Sequence, residues 1–150
     1  MSGPGPGAAP QSLVGLLGGT RVAAVDEHGT LHPARAIWSL EWWVGADDRW
    51  HRPTHEPAVR QSLVEGMPVV RTAMRVPGGD AVQEVYAVTG DAVVIDVENA
   101  SPAPFVAAFV VRGAGHVALG DTTGVVDGGK PTAPPPRSIT KPALSAPSCC

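Results

Sequence analysis

The stretch that decides the fold is residues 69–89, which read VVRTAMRVPGGDAVQEVYAVT. Before the turn PGGD, every second residue falls on one face, and these residues are Val70, Thr72, Met74 and Val76. A period of two is typical of a strand that buries one of its faces. Gly78 and Gly79 in the turn both tolerate a positive φ. The stretch therefore predicts an antiparallel β-hairpin.

The turn also predicts a register for this hairpin. A two-residue loop at Gly78 and Gly79 opposes residues whose numbers sum to 157, which places Glu84 opposite Ala73. Arg71 and Arg75 then become diagonal neighbours of Glu84 on the same face. Such cross-strand charge pairs contribute a few tenths of a kcal/mol each and help to fix the register.

Short strand candidates with turn residues between them flank this hairpin on both sides. Turn signals recur roughly every 8–12 residues, which is typical of an antiparallel β-sandwich. In the turn at residues 26–29, Gly29 supplies the positive φ of a four-residue loop. The nearly continuous apolar stretch at 105–112 predicts a central strand covered on both faces. The flanking candidates are residues 12–17, 21–25, 30–31, 36–44, 92–98, 105–112, 116–119 and 122–127.

Residues 36–44 place Trp38, Leu40, Trp42 and Val44 on one face of a strand. We expect Trp38 and Trp42 to fill the core, and residues 45–53 to form a polar loop. Residues 56–65 fit a short helix after Thr54 almost as well as a strand. We favour the strand because all of the neighbouring elements are strands.

The fold class predicted by this pattern is all-β, an antiparallel β-sandwich of about 8–10 short strands. The chain has 18 glycines and 16 prolines, 34 of 150 residues, about twice the average usage, and this composition disfavours a helical bundle. We expect a flexible Gly/Pro arm at residues 1–11, the sandwich domain at 12–129, and a Pro-rich, disordered tail at 130–150.

The predicted tail differs sharply in charge from the rest of the chain. Residues 1–129 carry 14 acids and 8 arginines, a net charge of −6, whereas Lys130, Arg137 and Lys141 give the tail +3. This change fits a frameshifted or truncated continuation of a coding region, and a polyproline II binding segment is the alternative. The only cysteines, Cys149 and Cys150, provide no disulfide framework, and their role stays open.

Two pairs of residues are candidate site residues. Four tryptophans occur between residues 38 and 50, and Trp43 and Trp50 leave the inward face, which makes them candidates for an exposed contact with a sugar or a protein. His51 and His55 have the i, i+4 spacing of a zinc pair, but Pro53 lies between them. We expect these histidines to be surface residues and the chain to hold no metal.

The composition and motifs exclude several classes of function. The net charge of −3 gives no basic footprint for nucleic acid. The longest apolar run, seven residues from 105 to 111, is too short to span a membrane. No phosphate-binding loop, nucleophile elbow or catalytic triad spacing occurs, so we expect no cofactor and no catalytic residue. We expect a cytoplasmic protein, because no signal peptide is recognised.

Several motifs carry a family resemblance over residues 12–130. They are DRWH at 48–51, AVRQ at 58–61, PVV at 68–70, RVPGGDAV at 75–82 and VENASP at 97–102. With these motifs the chain resembles the N-terminal β-sandwich region of large, mostly uncharacterised actinobacterial proteins. Some of those proteins are similar to glycoside hydrolases with an (α/α) barrel.

The resemblance implies an accessory role. The catalytic carboxylates of such enzymes lie in the helical barrel, downstream of the sandwich, so no catalytic residue is carried onto this chain. We therefore expect a non-catalytic, truncated N-terminal accessory domain of a larger, glycan-active protein, with a missing C-terminal domain as its partner. The alternative is a free-standing carbohydrate- or protein-binding module that uses Trp43 and Trp50.

Overall fold

The structure, a computed structural model, describes residues 10–19, 21–90, 92–113 and 116–127. The predicted arm lies outside these residues except for Pro10 and Gln11, and the predicted tail lies wholly outside them. The strands are β1 (Gln11–Gly15), β2 (Arg21–Asp26), β3 (Leu31–Pro33), β4 (Ser39–Gly45), β5 (Trp50–His51), β6 (Val59–Leu63), β7 (Val70–Val76), β8 (Gly79–Val88), β9 (Ala92–Ala100), β10 (Val106–Arg112), β11 (His116–Leu119) and β12 (Gly124–Asp127).

Ten of these strands form two antiparallel sheets, which confirms the predicted all-β class. The first sheet has the order β1-β2-β3-β4-β10, with β5 also paired to β4, and the second has the order β6-β7-β8-β9. Strands β11 and β12, which fall within two of the predicted strand candidates, form a separate hairpin. Within the described ranges, the only helix is a single 3₁₀ turn at Pro53–His55, and no helix there is long and apolar enough to cross a membrane.

The two sheets pack face to face around two clusters of buried side chains. In one cluster, residues of β1, β2 and β3 meet Val70 and Val85 of the second sheet. In the other, Trp42 and Val44 of β4 contact a group from β7 and β8. Each fully buried apolar side chain of this size contributes about 1.5–3 kcal/mol. In the cluster of Trp42 and Val44, the side chains contributed by the second sheet are Met74, Val76 and Ala81.

The hairpin at residues 69–89 forms, but its register differs from the predicted one. Strand β7 buries alternate residues as expected, yet Ala73 lies opposite Val82, and Glu84 lies opposite Arg71. The loop is Pro77-Gly78, and Gly78 has φ +79°, as a type II turn requires after proline. Gly79 belongs to the ladder instead, since it is paired with Val76. The predicted pairing of Ala73 with Glu84 was therefore wrong.

Three further expectations need correction. Strand β10 is not central but ends the first sheet, where it pairs only with β4 among the described strands. Trp38 precedes β4 and is only half-buried, whereas Trp42 is fully buried as predicted. The expected polar loop at 45–53 contains a strand, β5, which pairs with β4. The preference for a strand within 56–65 is confirmed by β6.

Candidate functional site: an aromatic corner and a free sheet edge

The two candidate tryptophans meet on the outer face of the first sheet. Trp43 alternates with buried Trp42 along β4 and therefore points away from the second sheet. Trp50 lies on β5 opposite Gly45, and its ring lies so close to Gly45 that a Cβ there would approach within 3.2 Å. We call Glu41, Trp43, Trp50, Arg52 and Arg112 the aromatic corner.

The rings of the aromatic corner stand edge to face. The centroids of Trp43 and Trp50 are 6.5 Å apart, and the ring planes make an angle of 64°. The guanidinium of Arg52 lies 4.1 Å from the centroid of Trp43, a distance typical of a cation–π contact. Glu41 accepts a hydrogen bond from Trp43 Nε1 at 3.0 Å and another from Arg112 Nε at 3.1 Å.

This arrangement differs from a flat platform for sugar rings. A platform needs ring faces that lie in one plane and are open to the ligand, whereas these two rings are inclined and Arg52 occupies a face of Trp43. Trp50 keeps half of its surface exposed. The accessible aromatic surface of the corner is therefore concentrated on Trp50.

Behind the corner, a cluster of charged side chains holds the turn that carries β5. The side chain of His51 is only 4% exposed. Its Nε2 lies 2.9 Å from Asp48 Oδ1, and its Nδ1 lies 3.1 Å from Glu56 Oε1. Carboxylate oxygens only accept hydrogen bonds, so the ring satisfies both of them when both of its nitrogens carry a proton. Arg49 donates two hydrogen bonds to Glu56, at 2.6 and 3.2 Å.

The two carboxylates of this cluster are stabilised in their charged forms. The hydrogen bond with His51 lowers the pKa of Asp48 below its ordinary value, and the hydrogen bond with Arg49, with a smaller contribution from His51, lowers that of Glu56. Every polar group of the cluster thus has a partner within the cluster. The arrangement orients Trp50 on one side of β5, since His51 is anchored on the other.

The expectation that both histidines are surface residues is confirmed for His55 and wrong for His51. His55 is exposed at the end of the 3₁₀ turn, whereas His51 is buried. Across the described part of the chain, no three His, Cys, Asp or Glu side chains are grouped so that they could hold a metal ion. A shallow depression beside Trp42 and Trp43 is lined by His28, Thr30, Glu41, Pro53 and Thr54, but it is too narrow to admit a water molecule.

The second candidate feature is the edge of β10 that no described strand covers. From Val106 to Val111 this strand carries no charge and no proline, and Arg112 follows at its end. Val106 is 64% exposed and Phe109 is 48% exposed. A long apolar edge of this kind presents unpaired backbone donors and acceptors to any further strand.

Each of the other edges of the sandwich has a feature that discourages pairing. Strand β1 has an irregular register near its end, β5 is only two residues long, and β6 carries Arg60, which binds Asp80 at 2.8 Å. Strand β9 exposes Asp96 and Glu98. Short length, irregular pairing and charge are the usual protections of edge strands. Among the edges that the structure describes, β10 alone lacks them.

The sequence indicates the tryptophans of the corner but not their partners. From the sequence, Asp48 is expected to cap a turn or to pair with Arg49 or Arg52. In the structure it accepts a hydrogen bond from the Arg49 amide at 2.9 Å, and its Oδ2 lies 3.9 Å from Arg49 Nε. The contact of His51 with Glu56 is not predicted from the sequence. A sequence signal for this cluster exists. Charged residues recur between Asp48 and Glu56, and His51 lies among them on a strand whose pairing with β4 turns its side chain inward.

Comparisons with protein-family models, curated proteins and solved structures find no match to this chain. The resemblance to actinobacterial proteins therefore depends on the sequence motifs alone.

Proposed function

We propose that this chain is a non-catalytic β-sandwich, an accessory domain of a larger, glycan-active protein, which takes up a further strand along β10. The observation that carries the proposal is the unprotected edge from Val106 to Arg112. Apolar surface of this kind favours burial, and each backbone group of the edge gains a partner when another strand adds to the sheet.

The charged groups support a non-catalytic role. Asp48 and Glu56 both lie within hydrogen-bond distance of His51, and the side chains of His51 and Glu56 are largely covered. A general acid or base needs to reach the proton of a substrate, and the side chains of His51 and Glu56 are only 4% and 8% exposed. The glycan-active part of the proposal rests on the family resemblance.

A strand-uptake experiment tests the role of the edge. A synthetic peptide with the sequence FVAAFVVR of residues 105–112 is added to the dilute chain, and amide hydrogen exchange is followed by mass spectrometry. We expect protection of the β10 amides and no change in those of β9, whose edge is charged. A control peptide with proline at the positions of Ala108 and Val110 lacks two donors and should give no protection. Unchanged exchange in β10 at saturating peptide would contradict the proposal.

The alternative function is a binding module for a carbohydrate or a protein ligand at the aromatic corner. The observation in its favour is the half-exposed ring of Trp50 beside Arg52 and Trp43. A glycan-array screen followed by titration calorimetry tests it. Replacing Trp50 with alanine should weaken binding by about tenfold, since truncation of a tryptophan that anchors a contact costs more than about 1 kcal/mol, while Leu119→Ala on the separate β11–β12 hairpin should not. Absence of any bound glycan would contradict the carbohydrate form of this alternative.

A further inference from the structure

We infer that the strand which covers β10 is β10 of a second copy of this chain, so that two domains join their first sheets across a two-fold axis. This inference rests on the proposed function, because it names the partner of the same edge. Free edges of equal and apolar strands pair readily, and a two-fold arrangement closes the assembly at a dimer.

The geometry of the sheet restricts how two copies of β10 can pair. Within an antiparallel pair, opposed residues lie on the same face of the sheet, so the numbers of opposed residues must sum to an even value. The pairing of β10 with β4 shows which residues share a face, since Phe109 lies opposite the buried Trp42 and Val106 lies opposite Gly45. Phe109 therefore lies on the inner face and Val106 on the outer face.

One register pairs all residues of the strand. When Phe109 lies opposite Phe109 of the second copy, the sum is 218, and each residue from Val106 to Arg112 finds a partner. Two phenylalanines then meet at the axis, on the inner face beyond Trp42, where Phe109 is 48% exposed. Aromatic pairs across strands stabilise a sheet by about 0.2–1 kcal/mol each.

The charges of the strand are compatible with this register. Arg112 is the only charged residue of β10, and in the two-fold pairing it lies opposite Val106 of the second copy rather than opposite another cation. Val106 adjoins Gly45, over which the ring of Trp50 lies, so the guanidinium approaches an aromatic face that favours it. The two arginines lie at opposite ends of the joined strands. These features favour a second copy over a strand of other sequence.

Sedimentation velocity across a dilution series of the full chain tests the inference. We expect the mass to rise with concentration from the 15.4 kDa of one chain to twice that value. Phe109→Lys opposes two cations at the axis and should raise the dimer dissociation constant at least tenfold, as should Phe109→Glu. A mixture of the two variants should dimerise again, because the opposed charges now attract. Circular dichroism verifies that each variant is folded.

A second pair of variants reports on the register without touching the axis. Val106→Glu faces Arg112 of the second copy and should strengthen the dimer, whereas Val106→Lys should weaken it. Leu63→Lys is the control, because it introduces a lysine at an exposed position of β6, an edge strand of the second sheet. This variant should leave the dissociation constant unchanged.

The outcomes separate the inference from the proposed function. A chain that stays monomeric at every concentration, or a mixture of charge variants that does not associate, overturns the two-fold dimer. If the peptide of residues 105–112 still protects β10, the edge takes up a strand of another protein, and the proposed function stands without the dimer. If neither association nor peptide protection is observed, both proposals fail.

Discussion

The two sides of β4 are held in different ways. Toward β10, an unbroken ladder opposes seven consecutive residues, from Ser39 to Gly45. Toward β3 and β5, the ladder is interrupted, since Leu40 alone pairs with β3 and two residues pair with β5. Between these pairs, hydrogen bonds of particular side chains replace the backbone ladder. Trp42 donates a hydrogen bond to the carbonyl of His28, and His51 joins the two ends of the turn that carries β5.

The difference shows where this fold depends on side-chain identity. Backbone hydrogen bonds form with any residue except proline, so the ladder side tolerates exchange among apolar residues. On the interrupted side, a lost side chain leaves a buried polar group without a partner or leaves a cavity. Substitutions on the interrupted side should therefore destabilise the chain far more than substitutions on β10.

The largest effect is expected from Trp42→Ala. Trp42 is 1% exposed, packs against the second sheet, and donates a hydrogen bond to the His28 carbonyl at 3.0 Å. Its loss leaves a cavity and an unpaired His28 carbonyl, so we expect a decrease of about 3–5 kcal/mol in the free energy of unfolding. Urea unfolding measures it. Trp43→Ala, the matched change on the outer face, should cost only about 1 kcal/mol through the lost cation–π contact. Equal losses would contradict the comparison.

A slightly smaller effect is expected from Gly29→Ala. Gly29 has φ +82°, and a Cβ there would lie 2.5 Å from Gln83 Oε1 and 2.7 Å from Trp42 Nε1. The left-handed backbone and the overpacking together should destabilise the chain by roughly 2–4 kcal/mol. Gly66→Ala is the control, since Gly66 also has a positive φ but meets nothing within 4 Å. Its cost in the same thermal or urea measurement should be about 1–2 kcal/mol.

His51→Leu should remove the connection between Asp48 and Glu56. The leucine fills a similar volume, but the carboxylate of Glu56, whose side chain is 8% exposed, loses one of its donors. We expect a loss of about 1–3 kcal/mol in stability and faster amide exchange in β5. His55→Leu, at the exposed histidine, should change stability by less than about 0.5 kcal/mol. A similar result for both variants would mean that the cluster does not hold β5.

The same cluster predicts a dependence of stability on pH. The pKa values of Asp48 and Glu56 are lower in the folded chain than their ordinary values of 3.8 and 4.5. A lowered carboxyl pKa contributes stability that is complete above the ordinary value and is lost as the pH falls through the folded value. The urea midpoint should therefore fall as the pH decreases from about 6 to about 3. The decrease should be smaller in Glu56→Gln, and an equal decrease would exclude Glu56 as a contributor.

The features that the sequence could predict are those with local signals. Alternation along β7 and the turn at Gly29 are local signals, and both elements formed where they were expected. The register of the β7–β8 hairpin was wrong because Pro77-Gly78 and Gly78-Gly79 are both acceptable loops, and only the surrounding ladder selects one. In that ladder, position 79 of the strand requires a glycine, because a Cβ on this residue would lie 2.3 Å from the Ala100 carbonyl oxygen.

Position within a sheet is not a local property, and this limited the prediction of the site. The apolar sequence of β10 indicated a covered strand, but no described strand follows it in the sheet order. An apolar strand whose outer side no described strand covers has the composition of a strand that is covered by another one. Likewise, β5 was missed because two residues, Trp50 and His51, show no periodicity, and only their pairing with β4 turns His51 inward.

The smallest effect is expected from Val106→Thr on the ladder side of β4. Val106 is 64% exposed and pairs with Gly45 through backbone groups, which the substitution leaves in place. Threonine is also favoured in strands, so the free energy of unfolding measured in dilute solution should change by less than about 0.5 kcal/mol. A loss as large as that of His51→Leu would show that side chains, and not the backbone ladder, hold β10 to β4.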